Sequence, residues 1–185
     1  MIKTKVELKK YLEADKKALG IKHKHPRFMT DFEWRYEIVL RKAEYYNTKK
    51  ISLKKLFYLF LLRHLQLKYQ TFIPMNVCGK GLSIAHIGGI RINSNARLGD
   101  FCRIQEGVTI GATNGEMTAP IIGNCVYIGS GAKIIGNIKI TSFVCIGAGA
   151  VVIKNIDEIG TFCGVPVKRV SDKNAFSNLL IKELV

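Results

Sequence analysis

The chain has 185 residues, with 29 Lys and Arg against 14 Asp and Glu, and a formal net charge of +15. The charge is uneven, because residues 1–70 carry a net +11 and residues 71–185 only +4. This basic balance favours anionic partners such as nucleotide phosphates, an anionic glycan or an acidic membrane surface. No nucleic-acid-binding motif accompanies the charge, so no nucleic-acid partner is expected. The start, MIKTKVELKK, lacks an apolar stretch, which predicts no signal peptide.

Three helices are predicted in residues 1–70. The first spans 4–19 and ends near Gly20, and the polar segment KHKHPR follows at 22–27. The second spans 31–46, with Asp31 as a candidate N-cap. The apolar face of this second helix consists of Phe32, Tyr36, Val39, Leu40 and Ala43. The third runs from Ser52 to about Tyr69, and Pro74 marks the change to strands.

The third helix contains the apolar run LFYLFLL at 56–62, flanked by Lys54, Lys55, Arg63 and Lys68. Seven apolar residues are too few to cross a bilayer, which needs about 20. One interpretation is a helix packed on the rest of the chain or on a partner subunit. The other is a basic, amphipathic contact with an anionic membrane surface.

Aliphatic residues recur every six positions between 92 and 152. The set is Ile92, Leu98, Ile104, Ile110, Ile122, Ile128, Ile134, Ile140, Ile146 and Val152. A period of six fits neither an amphipathic helix nor an alternating strand. It is typical of a solenoid whose short strands turn a corner every six residues, with about 18 residues per three-sided coil. Residues 18 apart should then stack, as Ile92, Ile110, Ile128 and Ile146.

Glu116 is the one residue that breaks this register, and a carboxylate in a dry core would be costly. We therefore predict that residues 112–119 form a loop outside the coil and that regular winding resumes near Ile121. The expected fold is mainly β: a helical region at 1–70, a repeat coil at 71–170 and a helical tail at 171–185. Ser171 or Asp172 could cap the tail helix, whose apolar stripe would be Phe176, Leu179 and Leu180.

His86 is the candidate catalytic residue, because it is the only one of the four histidines inside the coil region. Its surroundings, GKGLSIAHIGGIRI at 79–92, are rich in small residues that let a ligand approach the backbone. A neutral imidazole can take a proton from a hydroxyl near pH 7. The alternative is a hydrogen-bonded histidine with a structural role.

Five segments resemble, in order, motifs of the serine acetyltransferase family of hexapeptide transferases: GLSIAHIGGIRI, RIQEGVTIGATNG, IGNCVYIGSGAKIIGNIKI, IGAGAVV and GVPVKRV. The resemblance implies a left-handed parallel β-helix and acetyl transfer from acetyl-CoA to a hydroxyl, with His86 as general base. It also implies a homotrimer whose CoA grooves lie between adjacent subunits. The positions that match this groove are Gly111, Ala112, Thr113, Ser130, Ala148, Lys168 and Arg169. The last two could bind CoA phosphates.

Three positions depart from the family pattern. Ala85 stands where the family has an aspartate that contacts the amino acid, and Ala119 replaces a histidine before Pro120. Thr71 matches the carboxylate that orients the catalytic imidazole. These departures favour a sugar acceptor, as in the O-acetyltransferases of bacterial surface polysaccharides, and the basic surface favours an anionic saccharide. Serine O-acetylation for cysteine synthesis and a non-catalytic binding or scaffold β-helix are the alternatives.

The remaining expectations concern cofactors and location. Acetyl-CoA is the co-substrate, and no metal is expected, since a metal site on this coil would need several histidines. The five cysteines show no CxxC spacing and are interpreted as reduced packing thiols. The expected location is cytoplasmic, with the inner face of the membrane as the alternative.

Overall fold

The computed structural model describes residues 1–113 and 116–179. Three helices come first: α1 (Lys5–Ala18), α2 (Phe32–Asn47) and α3 (Leu53–Tyr69). They agree closely with the predicted segments. Among the described residues, no helix has the length and apolarity that crossing a membrane requires.

A side-chain cap is present at the N-terminus of two of these three helices. Thr4 and Glu7 form a reciprocal capping box at the start of α1. Ser52 accepts a hydrogen bond from the backbone N–H of Lys55 and caps α3. Asp31 precedes α2 but makes no side-chain cap, so that expectation was wrong. Its carboxylate instead accepts from the backbone N–H of Arg27 and contacts His23, both at 2.6 Å.

In the part of the chain that the structure describes, thirteen short strands follow and wind into a coil with three faces. They are β1 (Ser83–Ile84), β2 (Arg91–Ile92), β3 (Arg97–Leu98), β4 (Arg103–Ile104), β5 (Thr109–Gly111), β6 (Ile121–Ile122), β7 (Tyr127–Ile128), β8 (Lys133–Ile135), β9 (Lys139–Ile140), β10 (Cys145–Ile146), β11 (Val151–Val152), β12 (Thr161–Cys163) and β13 (Lys168–Ser171). Sheet I has the order β1-β4-β7-β10-β12-β13, sheet II β2-β5-β8-β11 and sheet III β3-β6-β9. All pairs are parallel except β12 with β13. This arrangement confirms the predicted β-helix.

The aliphatic stacks differ from those predicted. The observed stacks are Ile84–Ile104–Ile128–Ile146 in sheet I, Ile92–Ile110–Ile134–Val152 in sheet II and Leu98–Ile122–Ile140 in sheet III. The predicted stack of Ile110 on Ile128 is wrong because the loop between β5 and β6 shifts the register by six residues. Glu116 lies exposed in that loop, as predicted, and winding resumes at Ile121.

The helices cover the open edge of the first coil. A parallel strand at a sheet edge presents N–H groups that no preceding strand can pair. Four carboxylates accept these hydrogen bonds: Glu44 from Asn76 N, Asp15 from Leu82 N, Glu37 from Ile84 N and Glu33 from Ile87 N. Acidic residues of α1 and α2 thereby accept the hydrogen bonds that a preceding coil would otherwise accept.

Arg41 lies at the centre of this contact and is completely buried. Its guanidinium binds Asp15 at 2.7 Å and Glu44 at 3.1 Å, and donates to the carbonyl oxygens of Cys78 and Gly79. Burial alone would lower the pKa of Arg41, but the two carboxylates raise it above its usual range. The cation therefore joins α1, α2 and the coil.

α3 has two different sides. Leu62 is buried in the main hydrophobic core, and Leu59, Leu61 and Leu65 pack partly against that core. The other side is exposed. Its apolar residues are Leu53, Leu56, Phe57, Phe60 and Leu67. Contact of this exposed side with a partner subunit or a membrane stays a prediction.

The tail differs from the expected helix. β13 extends to Ser171, and the only helical turn in the described part of the tail is a 3₁₀ helix at Ala175–Ser177. Asn174 caps it, rather than Ser171 or Asp172. Phe176 packs against Phe143, and Leu179 is buried, whereas Leu180 lies outside the described residues.

Candidate active site

His86 projects from the corner between sheets I and II. Ile92 follows Ile84 by eight positions, whereas in the next coil the equivalent Ile110 follows Ile104 by six. The two extra residues swing His86 away from the core, and its side chain is exposed. An exposed imidazole at a corner is accessible to a second molecule, as a general base must be.

The backbone around His86 is held from the helical side. Ile87 N donates to the Glu33 carboxylate at 3.3 Å, and Gly88 N donates to Thr71 Oγ1 at 3.1 Å. Gly88 and Gly89 both have positive φ, which glycine tolerates better than other residues. These contacts fix the bulge that carries the histidine.

Two of the predicted cofactor positions lie at the same corner. The corner hydrogen bonds align Glu106 with Ser130 and then with Ala148 in successive coils. Ser130 Oγ donates to the Glu106 carboxylate in a short hydrogen bond. This bond and the backbone N–H of Glu106 itself lower the pKa of Glu106, with a further contribution from nearby His86. Glu106 was missed because nothing in a single repeat distinguishes it from a solvated carboxylate.

The other predicted cofactor residues lie elsewhere on the chain. Gly111 ends β5, and Ala112 and Thr113 follow it at the carboxyl ends of the strands of sheet II, whereas His86 lies near their amino ends. Lys168 and Arg169 lie in β13, at the far end of sheet I. One chain therefore does not bring the whole predicted groove together.

Arg169 differs from Lys168 in its surroundings. Its guanidinium contacts Asp172 at 2.7 Å and Glu158 at 3.5 Å, and donates to the carbonyl of Ile159. Lys168 is exposed. Of the two, Lys168 is the freer cation for a phosphate, and both assignments stay predictions.

The three departures from the family pattern have different structural roles. Ala119 is buried in the main core. Thr71 is also buried, and its hydroxyl donates to the carbonyl of Tyr69 while accepting from Gly88 N. Ala85 lines a cavity beside His86. None of them supplies a charge to the site.

That cavity, of about 150 Å³, lies between the helices and the coil. Its lining residues are Leu19, Ile21, Thr30, Asp31, Glu33, Trp34, Ile84, Ala85 and Arg103. His86 is not one of these lining residues, but the cavity involves both of its neighbours in the chain. Ala85 lines the cavity, and the lining residue Glu33 accepts a hydrogen bond from Ile87 N. Arg103 and Glu33 were missed because they come from parts of the chain that meet only in the fold.

Comparison with known proteins finds sequences that are similar to part of this chain. No protein-family model matches the chain. A serine acetyltransferase of Synechococcus elongatus is 41% identical over 90 residues, which make up 48% of this chain and 37% of that protein. A serine acetyltransferase of Buchnera aphidicola subsp. Schizaphis graminum is 40% identical over 114 residues, 60% of this chain and 44% of that protein. Over the aligned residues, the chain is similar to serine acetyltransferases.

The similarity in structure extends beyond the coil. The crystal structure of serine acetyltransferase from Brucella abortus strain S19 aligns with a TM-score of 0.75 at 28% identity, over 92% of this chain and 72% of that one. The structure of the same protein with coenzyme A aligns with the same TM-score. The curated relatives, in contrast, are matched over less than half of their length. The serine acetyltransferases named here do not support the polysaccharide assignment.

Proposed function

We propose that the chain is an acetyl-CoA-dependent O-acetyltransferase with His86 as general base. The observation that carries this proposal is the position of His86: the only coil histidine projects from the corner that also holds Ser130 and Ala148, in a coil related to serine acetyltransferases. The relative from Brucella abortus has been crystallised with coenzyme A, which supports the same co-substrate here.

In this mechanism the neutral imidazole of His86 takes the proton of the acceptor hydroxyl. The oxygen attacks the thioester carbonyl carbon, and a backbone N–H near the groove stabilises the oxyanion that forms. The tetrahedral intermediate collapses with departure of the CoA thiolate, which takes up a proton, and an acetyl ester results. No acyl-enzyme is formed, so none of the cysteines is required. Four of them are buried, and burial raises the pKa of Cys102 to about 12.

The acceptor that the comparisons favour is L-serine, since the curated relatives are serine acetyltransferases. This ranks above the sugar acceptor expected from the sequence. A sugar hydroxyl remains the second candidate, because Ala85, Ala119 and Thr71 supply no charge for an amino acid.

A homotrimer is part of the proposal. The corner of His86 lies near the amino ends of the strands of sheet II and the segment 111–113 at their carboxyl ends, so a groove that includes both needs a neighbouring subunit. Exposed apolar residues follow these carboxyl ends, Met117 and Ile121 after β5 and Ile153 after β11, and they suit a subunit contact. Light scattering should give three times the 20.7 kDa chain mass. A stable, active monomer would contradict the intersubunit site.

The test of the activity is His86→Ala, assayed by free-thiol release from acetyl-CoA with serine and with sugars. Removal of a general base should lower the rate by about 10²–10⁴-fold and leave CoA binding unchanged. His64→Ala is the matched control, because His64 is exposed on α3. Unchanged turnover in His86→Ala would remove this residue from the mechanism and favour the non-catalytic β-helix.

A further inference from the structure

The cavity beside His86 has a cation in its wall. Arg103 is the first residue of β4 and pairs in register with Ser83 of β1. One of its nitrogens, Nη1, donates to Ser83 Oγ at 2.6 Å. In the described part of the chain, Arg103 forms no ion pair with a carboxylate. The guanidinium is thus held in place by a neutral hydroxyl, with its charge unmatched.

Arg103 is half-buried, and this burial lowers its pKa, although Tyr127 and Glu37 act in the opposite direction. A guanidinium stays protonated at neutral pH even so. A partly desolvated cation with free N–H donors interacts more strongly with an anion than an exposed one does. The site therefore suits a carboxylate, which matches the planar fork of arginine.

The acidic residues of the same cavity are not equally available. Both oxygens of Asp31 are engaged: Oδ2 by His23 and Arg27 N, and Oδ1 by the hydroxyl of Thr30. Glu33 accepts only one hydrogen bond among the described residues, from Ile87 N. An available carboxylate and an available guanidinium therefore line one cavity without pairing with each other.

We propose that Arg103 is the residue that binds the acceptor's carboxylate and so selects a hydroxyl compound that carries one. This inference rests on the proposed acetyl transfer. The shared chemistry is a carboxylate close to the reacting hydroxyl, which occurs both in a hydroxy amino acid and in a uronic acid. The volume of about 150 Å³ favours the amino acid, and so does Glu33, whose carboxylate accepts one hydrogen bond from Ile87 N and could also pair with an ammonium group.

This role explains how the chain can lack charge at positions 85 and 119 and still bind a charged acceptor. A cation from sheet I and an anion from α2 supply the two charges from other positions. A buried site that pairs a charged group rejects analogues lacking that group, because its own charge is then left unpaired.

The experiment compares two pairs of acceptors that differ in the carboxylate: L-serine with L-serinamide, and galacturonate with galactose. Arg103→Gln should lower kcat/KM for the carboxylate member about 10- to 100-fold, mainly through KM, because it removes a charge-assisted hydrogen bond. Rates with the neutral member should not fall. The kcat/KM of Arg103→Lys for the carboxylate member should lie between those of the unmodified protein and Arg103→Gln, because lysine keeps the positive charge but lacks the planar pair of donors.

Arg97→Gln is the matched control, because Arg97 begins β3 as Arg103 begins β4 and lies away from the cavity. Thermal unfolding of each variant reports whether the coil is intact. If Arg103→Gln is unstable, the test uses the kcat/KM values of Arg103→Lys with the charged and neutral acceptors.

An equal loss of kcat/KM with charged and neutral acceptors, or no loss with either carboxylate acceptor, would overturn the role of Arg103 and leave the acetyltransferase assignment standing. If the unmodified protein acetylates none of the four acceptors, both proposals fail.

Discussion

In the coil, the stacked positions of successive strands are filled by similar aliphatic residues. The contact between the helices and the coil is instead made by polar side chains that do not repeat. Ile104, Ile128 and Ile146 are interchangeable members of one stack. Asp15 and Arg41 have no equivalents elsewhere in the described structure and hold the first coil through specific hydrogen bonds. The coil distributes its stability over many similar contacts, and the helical contact concentrates it in a few.

Arg41→Met should have the largest effect on stability. It leaves the carboxylates of Asp15 and Glu44 buried without their cation, which typically costs about 3–5 kcal/mol. Chemical denaturation should show this loss as a lower midpoint. Arg35→Met on the same helix is the control, since Arg35 contacts the carbonyl and the ring of Phe28 and forms no ion pair among the described residues. Equal stability of the two variants would show that the contact is not concentrated in Arg41.

Ile134→Val in the coil should cost less, about 0.5–1.5 kcal/mol, because it removes one buried methylene from a stack of similar residues. Ile159→Val is the comparison, since Ile159 lies in the same repeat region but is 47% exposed. The first variant should lower the unfolding midpoint and the second should leave it nearly unchanged. A loss at Ile134 as large as that at Arg41 would remove the distinction between the regions.

Glu37→Gln tests the helical contact through pH. Burial raises the pKa of the Glu37 carboxyl well above its usual range, with Asp15 adding to the effect, and its Oε2 has no hydrogen-bond partner among the described residues. The folded state therefore holds a proton that the unfolded chain releases near pH 4.5. This group contributes fully to stability below that pH, and its contribution falls as pH rises further. The advantage of Glu37→Gln over the unmodified protein should grow between pH 5 and 8, as measured by urea unfolding. A pH-independent difference would mean that Glu37 is not the titrating group.

The smallest expected effect concerns the exposed side of α3. If this basic, apolar surface contacts an anionic membrane, Phe60→Ser should weaken sedimentation with phosphatidylglycerol vesicles by about 5- to 10-fold. Phe28→Ser is the matched control, because Phe28 is equally exposed but lies outside α3. Phosphatidylcholine vesicles should bind neither protein. No association of the unmodified protein with either vesicle would contradict the membrane interpretation.

Several elements could be predicted from sequence because their causes are local. The six-residue period identified the coil, and the predicted first residues of two helices, Thr4 and Ser52, are the N-caps of α1 and α3. Glu116 indicated the loop, since a carboxylate has no place in an aliphatic stack. The stacking partners across that loop were predicted wrongly, because the number of residues leaving the coil decides which isoleucines meet.

The sequence by itself determined the coil, the three helices and His86 as the candidate base, because the spacing of apolar residues and the one histidine of the coil region can be recognised without knowing long-range contacts. Only the tertiary structure placed Glu33 and Arg103, about 70 positions apart in sequence, around one cavity beside His86. It also paired the acidic residues of α1 and α2 with the open edge of the coil. Both outcomes depend on how the helices dock. Docking joins donors and acceptors that are distant in the chain, and no local pattern specifies it.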